Sequence, residues 1–288
     1  MNTHTIILAA GKGTRMNTNL PKVMQPLGGM SLIEHVISTA QEISKKITVV
    51  IGHQKNLLKE HLTEIDPIIE TVNQENQLGT AHAVKTASHL IQDDERVLIL
   101  YGDVPLISNK TIQSLLDSEN NCTLLSMILS DPTGYGRIVS NEENLALKII
   151  EQKDASEDER KIKEVFTGIL LIDGSLLRPA LEEINNQNAA NEYYLTDLVE
   201  ILSSKGVKIN CIQANPTEVL GANNKYELHE LESILRKMGA EKLLEQGVTL
   251  SDATRVDVRG KVIAGKDCTI DVNVILEGDV TLGDNVSI

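Results

Sequence analysis

Thr5-Ile6-Ile7-Leu8-Ala9-Ala10-Gly11-Lys12-Gly13-Thr14-Arg15-Met16 is the stretch whose reading decides the fold. Residues 6–10 are a short apolar run and read as a buried strand. The run breaks into a loop carrying two glycines, and Leu20-Pro21-Lys22 follows shortly after. Glycine lets a backbone turn its N–H groups onto a phosphate, and it removes the Cβ that would prevent close approach. Lys12, Arg15 and Lys22 fall within eleven positions, so a single loop can set three cations around one phosphate chain. Neither common phosphate motif fits. The Walker pattern needs Gly-Lys-Ser/Thr, but Gly13 follows Lys12; the dinucleotide pattern needs a third glycine where Met16 stands.

The same alternation continues outward. Leu32, Ile33, Val36, Ile37 and Ala40 recur at helical spacing, residues 47–51 form a β-branched run, and Leu57, Leu58 and Leu62 mark a short helix. Residues 67–72 and 97–100 read as further buried strands, with a helical stretch over 80–90 between them. Strands alternating with helices predict an α/β fold, a doubly wound and mostly parallel sheet of Rossmann-like character. Ligands bind such sheets beyond the carboxyl ends of the strands, which directs attention to residues 11–21, 73–79 and 101–106.

Residues 131–213 are less regular, with strands expected at 146–150, 168–172 and 208–213 and helices at 175–184 and 195–205. An amphipathic run over 225–246 carries the stripe Leu228, Leu231, Leu235, Met238 and Leu243. From about residue 248 the period changes. Ala264, Ile270, Leu276, Leu282 and Ile288 recur every six residues, as do Cys268, Val274, Val280 and Val286. This double six-residue register predicts the start of a left-handed parallel β-helix, seen here as four incomplete turns. The organisation expected is a first domain over 1–224, a linker helix over 225–247 and incomplete coils over 248–288. The chain stops inside the pattern, so a fragment of a longer protein, or coverage of the open end by neighbouring copies, is expected.

Composition narrows the function. The net charge of −14 and the absence of Trp, with one Phe and five Tyr, argue against a nucleic-acid binder, which needs basic surface and stacking platforms. Three widely spaced cysteines read as free thiols in a reducing compartment. No run approaches a membrane span and the first residues lack a basic leader, so the cytoplasm is expected. An acidic protein that binds a polyanion must focus positive charge locally and recruit Mg²⁺. Asp103, in Tyr101-Gly102-Asp103-Val104-Pro105-Leu106, stands where a strand ends and could hold such a metal. Asn73-Gln74-Glu75-Asn76-Gln77-Leu78-Gly79-Thr80 gathers amides whose donor and acceptor match the N3–H and O4 edge of uracil.

Taken in order, L-A-A-G-K-G-T-R-M with L-P-K, Q-L-G-T-A-H-A, Y-G-D-V-P-L, D-P-T-G-Y-G-R-I and E-Y-Y-L-T-D resemble the N-terminal domain of the bifunctional bacterial UDP-N-acetylglucosamine pyrophosphorylase/glucosamine-1-phosphate N-acetyltransferase family. The resemblance runs from about residue 5 to the end of the chain. It implies a Mg²⁺-dependent nucleotidyltransferase acting on UTP and N-acetylglucosamine 1-phosphate. Leu8, Ala10 and Gly11 would contact the nucleotide, with Arg15 and Lys22 as catalytic cations on the phosphates. Gln74, Gln77, Gly79 and Thr80 would recognise uracil. Asp103 and Asn223 would hold the metal, Gly136 and Glu151 the sugar, and Tyr101, Tyr194 and Thr196 would line the sugar pocket. A homotrimer through the coils is a possible assembly, weakened by their truncation.

Two positions depart from the family pattern. Phe166-Thr167-Gly168 stands where the family has Asn-Thr-Gly, which removes one polar contact to the sugar or loosens its discrimination. Ala222 replaces a Val, a minor change. Three alternatives stay open: a pyrophosphorylase for another sugar nucleotide, a non-catalytic sugar-nucleotide sensor, and an acyltransferase. The last is not expected, because the coils are too few.

Overall fold

In the computed structural model, which describes residues 2–288, the opening stretch forms β1 (Thr3–Leu8) in the middle of a nine-stranded sheet. Strand geometry explains its uniform apolarity. Ile6, Leu8 and Ala10 enter the core on one face of the sheet, while Ile7 and Ala9 enter the core on the other. A strand covered on both faces has no use for alternating polar residues.

A minimal antiparallel pair, β2 (Pro26–Leu27) and β3 (Met30–Ser31), leads into α1 (Leu32–Gln41). Ser31 and Glu34 start this helix with a reciprocal capping box. The chain continues through β4 (Lys46–Ile51), α2 (Lys55–Ile65), β5 (Glu70–Asn73), α3 (Thr80–Thr86) and β6 (Arg96–Tyr101). β5, β4, β1 and β6 lie side by side and all parallel, the doubly wound half that the pattern predicts. The strand expected from residue 67 begins only at Glu70, because the Asp66 carboxylate accepts the Ile68 N–H at 2.9 Å and closes a turn first. The helix expected over 80–90 ends at Thr86, and a separate 3₁₀ turn covers Ser88–Leu90.

Past Tyr101 the simple alternation fails. After α4 (Asn109–Leu116) and β7 (Cys122–Ile128), two short antiparallel strands, β8 (Arg137–Ser140) and β9 (Ala146–Ile150), precede β10 (Glu164–Asp173). β10 inserts between β6 and β7, antiparallel to both. It is twice the length expected from residues 168–172, and its register shifts between Phe166 and Leu170. Helices α5 (Gly174–Glu183) and α6 (Asp197–Ser204) follow, and β11 (Ile209–Gln213) closes the edge parallel to β7.

Asn224 caps α7 (Lys225–Glu245) by accepting the Tyr226 and Glu227 N–H groups. The helix is held at both ends. Leu228, Leu231, Ile234 and Leu235 pack with Met16, Leu27, Leu32, Leu106 and Ala222, and Leu243 enters the core of the coils. Met16, in the glycine-bearing loop, is thereby fully buried against a helix more than two hundred positions away.

The coils comprise β12 (Thr249–Leu250), β13 (Val256–Ala264), β14 (Thr269–Ile270) and β15 (Val274–Leu282). β13 and β15 are parallel and in register from Val256 against Val274 to Ala264 against Leu282, an offset of 18 residues. Three hexads therefore make one turn, and residues 248–288 complete little more than two turns rather than four. The six-residue period counts the faces of a coil, not its turns. Cys268, Ile270, Val274, Leu276, Val280, Leu282 and Val286 stack inside, whereas Ile288 is 44% exposed. No helix among the described residues is long and apolar enough to cross a membrane.

Candidate active site

A cleft of about 780 Å³ opens where β1, β5 and β6 end. Its floor is Leu8, Ala9, Ala10 and Gly11. A Cβ built on Gly11 would have nothing within 4 Å, so no protein packing demands glycine there, and the space belongs to the cleft. Gly13 has a different role. It sits at φ 58°, the left-handed region that favours glycine, and a Cβ there would lie 2.6 Å from Lys22 Cβ. The loop folds back on itself at this point and carries Lys22 to the cleft wall.

At one end four side chains converge. The Lys22 ammonium donates to Asp103 Oδ2 and, at 3.2 Å, to Asn223 Oδ1; Arg15 donates to the same Asn223 oxygen at 3.1 Å. Asn223 is itself held by Glu227, whose Oε2 accepts from the Asn223 backbone N–H at 2.7 Å and from Nδ2 at 3.0 Å. A carboxylate only accepts, so this bond fixes the Asn223 amide with its oxygen toward the cations. Asp103 and Asn223 thus aim two hard oxygen donors at one cation position, the donor chemistry Mg²⁺ takes when substrate phosphates supply further ligands. The described residues offer no cluster of three or more His, Cys, Asp or Glu for a metal, so such a shell would draw its other ligands from water and from oxygens such as those of a phosphate. Charge points the same way. The two cations Arg15 and Lys22 share the lining with Asp103, Glu192, Glu227 and Glu230, an acidic balance that a triphosphate enters only with a counter-cation.

The amide loop forms another wall. Gln74 is almost wholly buried and lines the cleft together with Gln77, Gly79 and Thr80. Its Nε2 donates to Gly79 O at 3.1 Å, and Gln77 Nε2 donates to Gln74 O at 3.0 Å. The segment around Tyr193 braces this loop: Tyr193 N–H reaches Leu78 O at 2.8 Å, Ala81 N–H reaches Tyr193 O at 2.9 Å, and Thr80 Oγ1 accepts from Leu195 N–H at 3.0 Å.

The residues that the resemblance assigns to the sugar lie together but set back. Tyr101 lines the cleft. Behind it Thr196 Oγ1 donates to Glu151 Oε1 at 3.1 Å, and a Cβ on Gly136 would lie 3.5 Å from that same oxygen. Gly136, Glu151, Tyr194 and Thr196 are not among the residues lining the main cleft. Burial raises the Glu151 carboxyl above the usual carboxylate range, and burial with Glu151 and Asp103 nearby raises the Tyr101 phenol. Burial and the acidic neighbours Glu151, Glu200 and Asp154 push Asp197 up to about 6, while burial with Asp154, Glu151, Glu192 and Asp197 lifts Tyr194 to about 12. Gly168 is required by the Tyr101 ring: at φ 91°, its added Cβ would meet Tyr101 Cε2 at 2.5 Å.

Phe166 does not face the cleft. It is 6% exposed, in the apolar cluster that holds Ile138, Ala146 and Ile149, and its N–H is already committed to Gly136 O at 2.9 Å. The neighbouring Thr167 lines the cleft instead. Lys12 is exposed and not among the lining residues, so the loop brings two cations to the cleft rather than three. Sequence reasoning missed Thr133, Gly134 and Tyr135, which line the cleft although they sit inside the quoted D-P-T-G-Y-G-R-I motif. It also missed Glu227, whose signal is its place three residues after the capping Asn224.

The chain is 45% identical over 292 aligned positions to the "Bifunctional protein GlmU" of Idiomarina loihiensis, covering all of this chain and 64% of that protein. It is 44% identical over 289 positions to the protein of the same name from Marinobacter nauticus, covering 99% and 63% respectively. The chain therefore spans a little under two thirds of the length of these curated relatives. A solved UDP-glucose pyrophosphorylase in complex with UDP-glucose shares the fold, with a TM-score of 0.66 at 19% identity over 83% of this chain and all of that one. The sequence pattern of the MobA-like NTP transferase domain covers residues 5–193, the whole of the glycine loop, the amide loop and the Asp103 strand end. The chain belongs to the MobA-like NTP transferase family and is a nucleotidyltransferase related to GlmU.

Proposed function

We propose that the cleft transfers UMP from UTP to N-acetylglucosamine 1-phosphate, giving UDP-N-acetylglucosamine and pyrophosphate. The observation that carries this reading is the meeting of Arg15, Lys22, Asp103 and Asn223 at one end of a cleft whose amide wall is Gln74 and Gln77. A phosphate oxygen of the sugar phosphate attacks the α-phosphorus of UTP. The new P–O bond forms as the bond from the α-phosphorus to the bridging oxygen breaks, and its electron pair leaves on pyrophosphate. The nucleophile is already anionic at neutral pH, so no proton has to be moved and no general base is needed.

Catalysis then rests on positioning and charge. Arg15 and Lys22 stabilise the charge gathering on the α-phosphate and the departing pyrophosphate. Gly11 leaves room for the phosphates against the backbone. Asp103 and Asn223 would hold a Mg²⁺ ion, which would supply further neutralisation of phosphate charge. Lys22 would exchange its bond to Asp103 for the phosphate chain as substrate enters.

Phe166 favours one second reading, a different sugar at the acceptor end, because its ring offers no polar contact where the resembled family has Asn. A pyrophosphate-release assay with UTP and Mg²⁺ against a panel of sugar 1-phosphates decides both. N-acetylglucosamine 1-phosphate is expected to be the best acceptor. A preference for glucose 1-phosphate would replace the sugar assignment, and no release with any acceptor despite tight UTP binding would replace catalysis by sensing. Acetyl transfer from acetyl-CoA to glucosamine 1-phosphate is expected to be undetectable with this chain.

A further inference from the structure

The amide loop contains a bond that the uridyl reading leaves unused. Gln74 Nε2 lies 3.1 Å from Gly79 O and 3.0 Å from His82 Nδ1, in the first turn of α3. A backbone carbonyl can only accept, so the Gln74 atom facing it must be the amide nitrogen; the flipped amide would set two oxygens against each other. That nitrogen carries two hydrogens, and the second is directed at His82. His82 Nδ1 must therefore be the acceptor, which requires a neutral ring with its proton on Nε2. Burial, and secondarily Lys85, lower the His82 pKa and favour this neutral form. Tyr193 packs a tilted ring 6.3 Å from the imidazole.

With both amide hydrogens used, only Gln74 Oε1 is left to meet a ligand. It makes no hydrogen bond to the described residues, yet it is not among their buried side-chain atoms lacking a partner, which are Asn109 Oδ1 and Arg137 Nε. Gln74 lines the cleft, so the little exposure it has is on the cleft side.

We infer that His82 is a positioning residue for base selection: together with Gly79 O it locks Gln74 as a pure acceptor, which admits a base carrying an N3–H and rejects one whose N3 is a lone pair. Uracil has that N–H; cytosine presents an acceptor and would meet Gln74 Oε1 acceptor to acceptor. This rests on the uridyl reading of the cleft. Without the His82 acceptor, the second Gln74 hydrogen has no buried partner, and the amide turns to recover one.

The test compares UTP with CTP for wild-type chain, His82→Phe and His82→Asn. Binding is measured by calorimetry, turnover by pyrophosphate release, and folding by thermal melting. Phenylalanine keeps the ring and removes the acceptor; asparagine sets an oxygen near the Nδ1 position. His82→Phe is expected to lower the UTP-over-CTP preference at least about tenfold, raising KM for UTP with kcat within about twofold, while His82→Asn restores most of the preference. If His82→Phe does not fold, His82→Ala carries the same comparison. A folded variant lacking the acceptor that keeps the wild-type preference overturns the role of His82 and leaves the uridyl reading intact. A wild-type chain that binds CTP as well as UTP overturns both.

Discussion

The two ends of the cleft, which the proposed reading gives to the phosphates and to the sugar, are built on different principles. At the phosphate end Arg15, Lys22, Asp103 and Asn223 meet directly on its wall, through one ion pair and two bonds from the cations to the Asn223 amide oxygen. At the sugar end Tyr101 and Thr167 reach the wall; Gly136, Glu151 and Thr196 do not line it, and Phe166 is turned into the core. The phosphate end is a set of cations waiting to exchange partners. The sugar end is a half-buried acidic patch whose carboxyls Glu151 and Asp197 are pushed toward their neutral forms. Charge can be exchanged when a polyanion arrives, whereas a buried wall has to be shaped in advance.

This contrast can be broken at several points. The largest effect is expected from Arg15→Ala, which removes a transition-state donor worth ~3 kcal/mol and lowers turnover by about a hundredfold or more with little change in melting temperature. Near wild-type pyrophosphate release by that variant would leave the phosphate end without its catalytic cation. At the other end, Phe166→Ala is expected to cost stability first, about 3 kcal/mol for a buried aromatic, visible in urea unfolding. If it instead unfolds like wild type and only changes sugar preference, Phe166 belongs to the site and not to the core.

Glu227→Ala tests the amide orientation at Asn223. Losing the carboxylate that pins Asn223 Nδ2 is expected to lower kcat/KM about tenfold, because the Asn223 oxygen is then free to turn away from the cations. An unchanged Mg²⁺ titration and rate would show that Glu227 serves only the helix start.

The smallest effect is a pH-dependent one. The folded pKa of Asp197, about 6, lies above its unfolded value, so its neutral form favours the fold. That contribution is complete below the unfolded pKa and is lost as the pH rises through about 6. Asp197→Asn should therefore raise the melting temperature at pH 8 by ~2–4 °C, about 1 kcal/mol at this half-buried position, and leave it unchanged near pH 3. An equal gain at both pH values would remove the acidic patch from the comparison.

Much of the phosphate end can be read along the chain. Gly11, Gly13, Arg15 and Lys22 fall in one short segment, and Asp103 follows its strand directly, so local spacing marks all of them. The sugar end is harder to read, since its members come from β6, the residues flanking β8 and β9, β10 and the segment before α6, and no spacing ties them together. The antiparallel β10 shows the same limit. Its apolar pattern announces a strand, but strand direction depends on which neighbours it pairs with, and those are β6 and β7 from distant sequence. The coils show it in another form: the six-residue period is local, while the 18-residue turn that stacks Val256 on Val274 needs three faces to close.

By itself the sequence determined the parallel α/β core, the glycine loop with its cations, the amphipathic helix from residue 225 and the hexad register. Each of these is written in periods or spacings shorter than about two turns of helix. Only the tertiary structure decided that Lys22 would meet Asp103 and Asn223 across 81 and 201 positions, and that Arg15 would reach Asn223 across 208. It also decided that Phe166 turns inward, Lys12 stays outside, and the amides of Asn223 and Gln74 each point a single way. The physical reason is common to all of them. Side-chain direction and hydrogen-bond polarity are fixed by the partner that packing brings close, and that partner is seldom a neighbour in the chain.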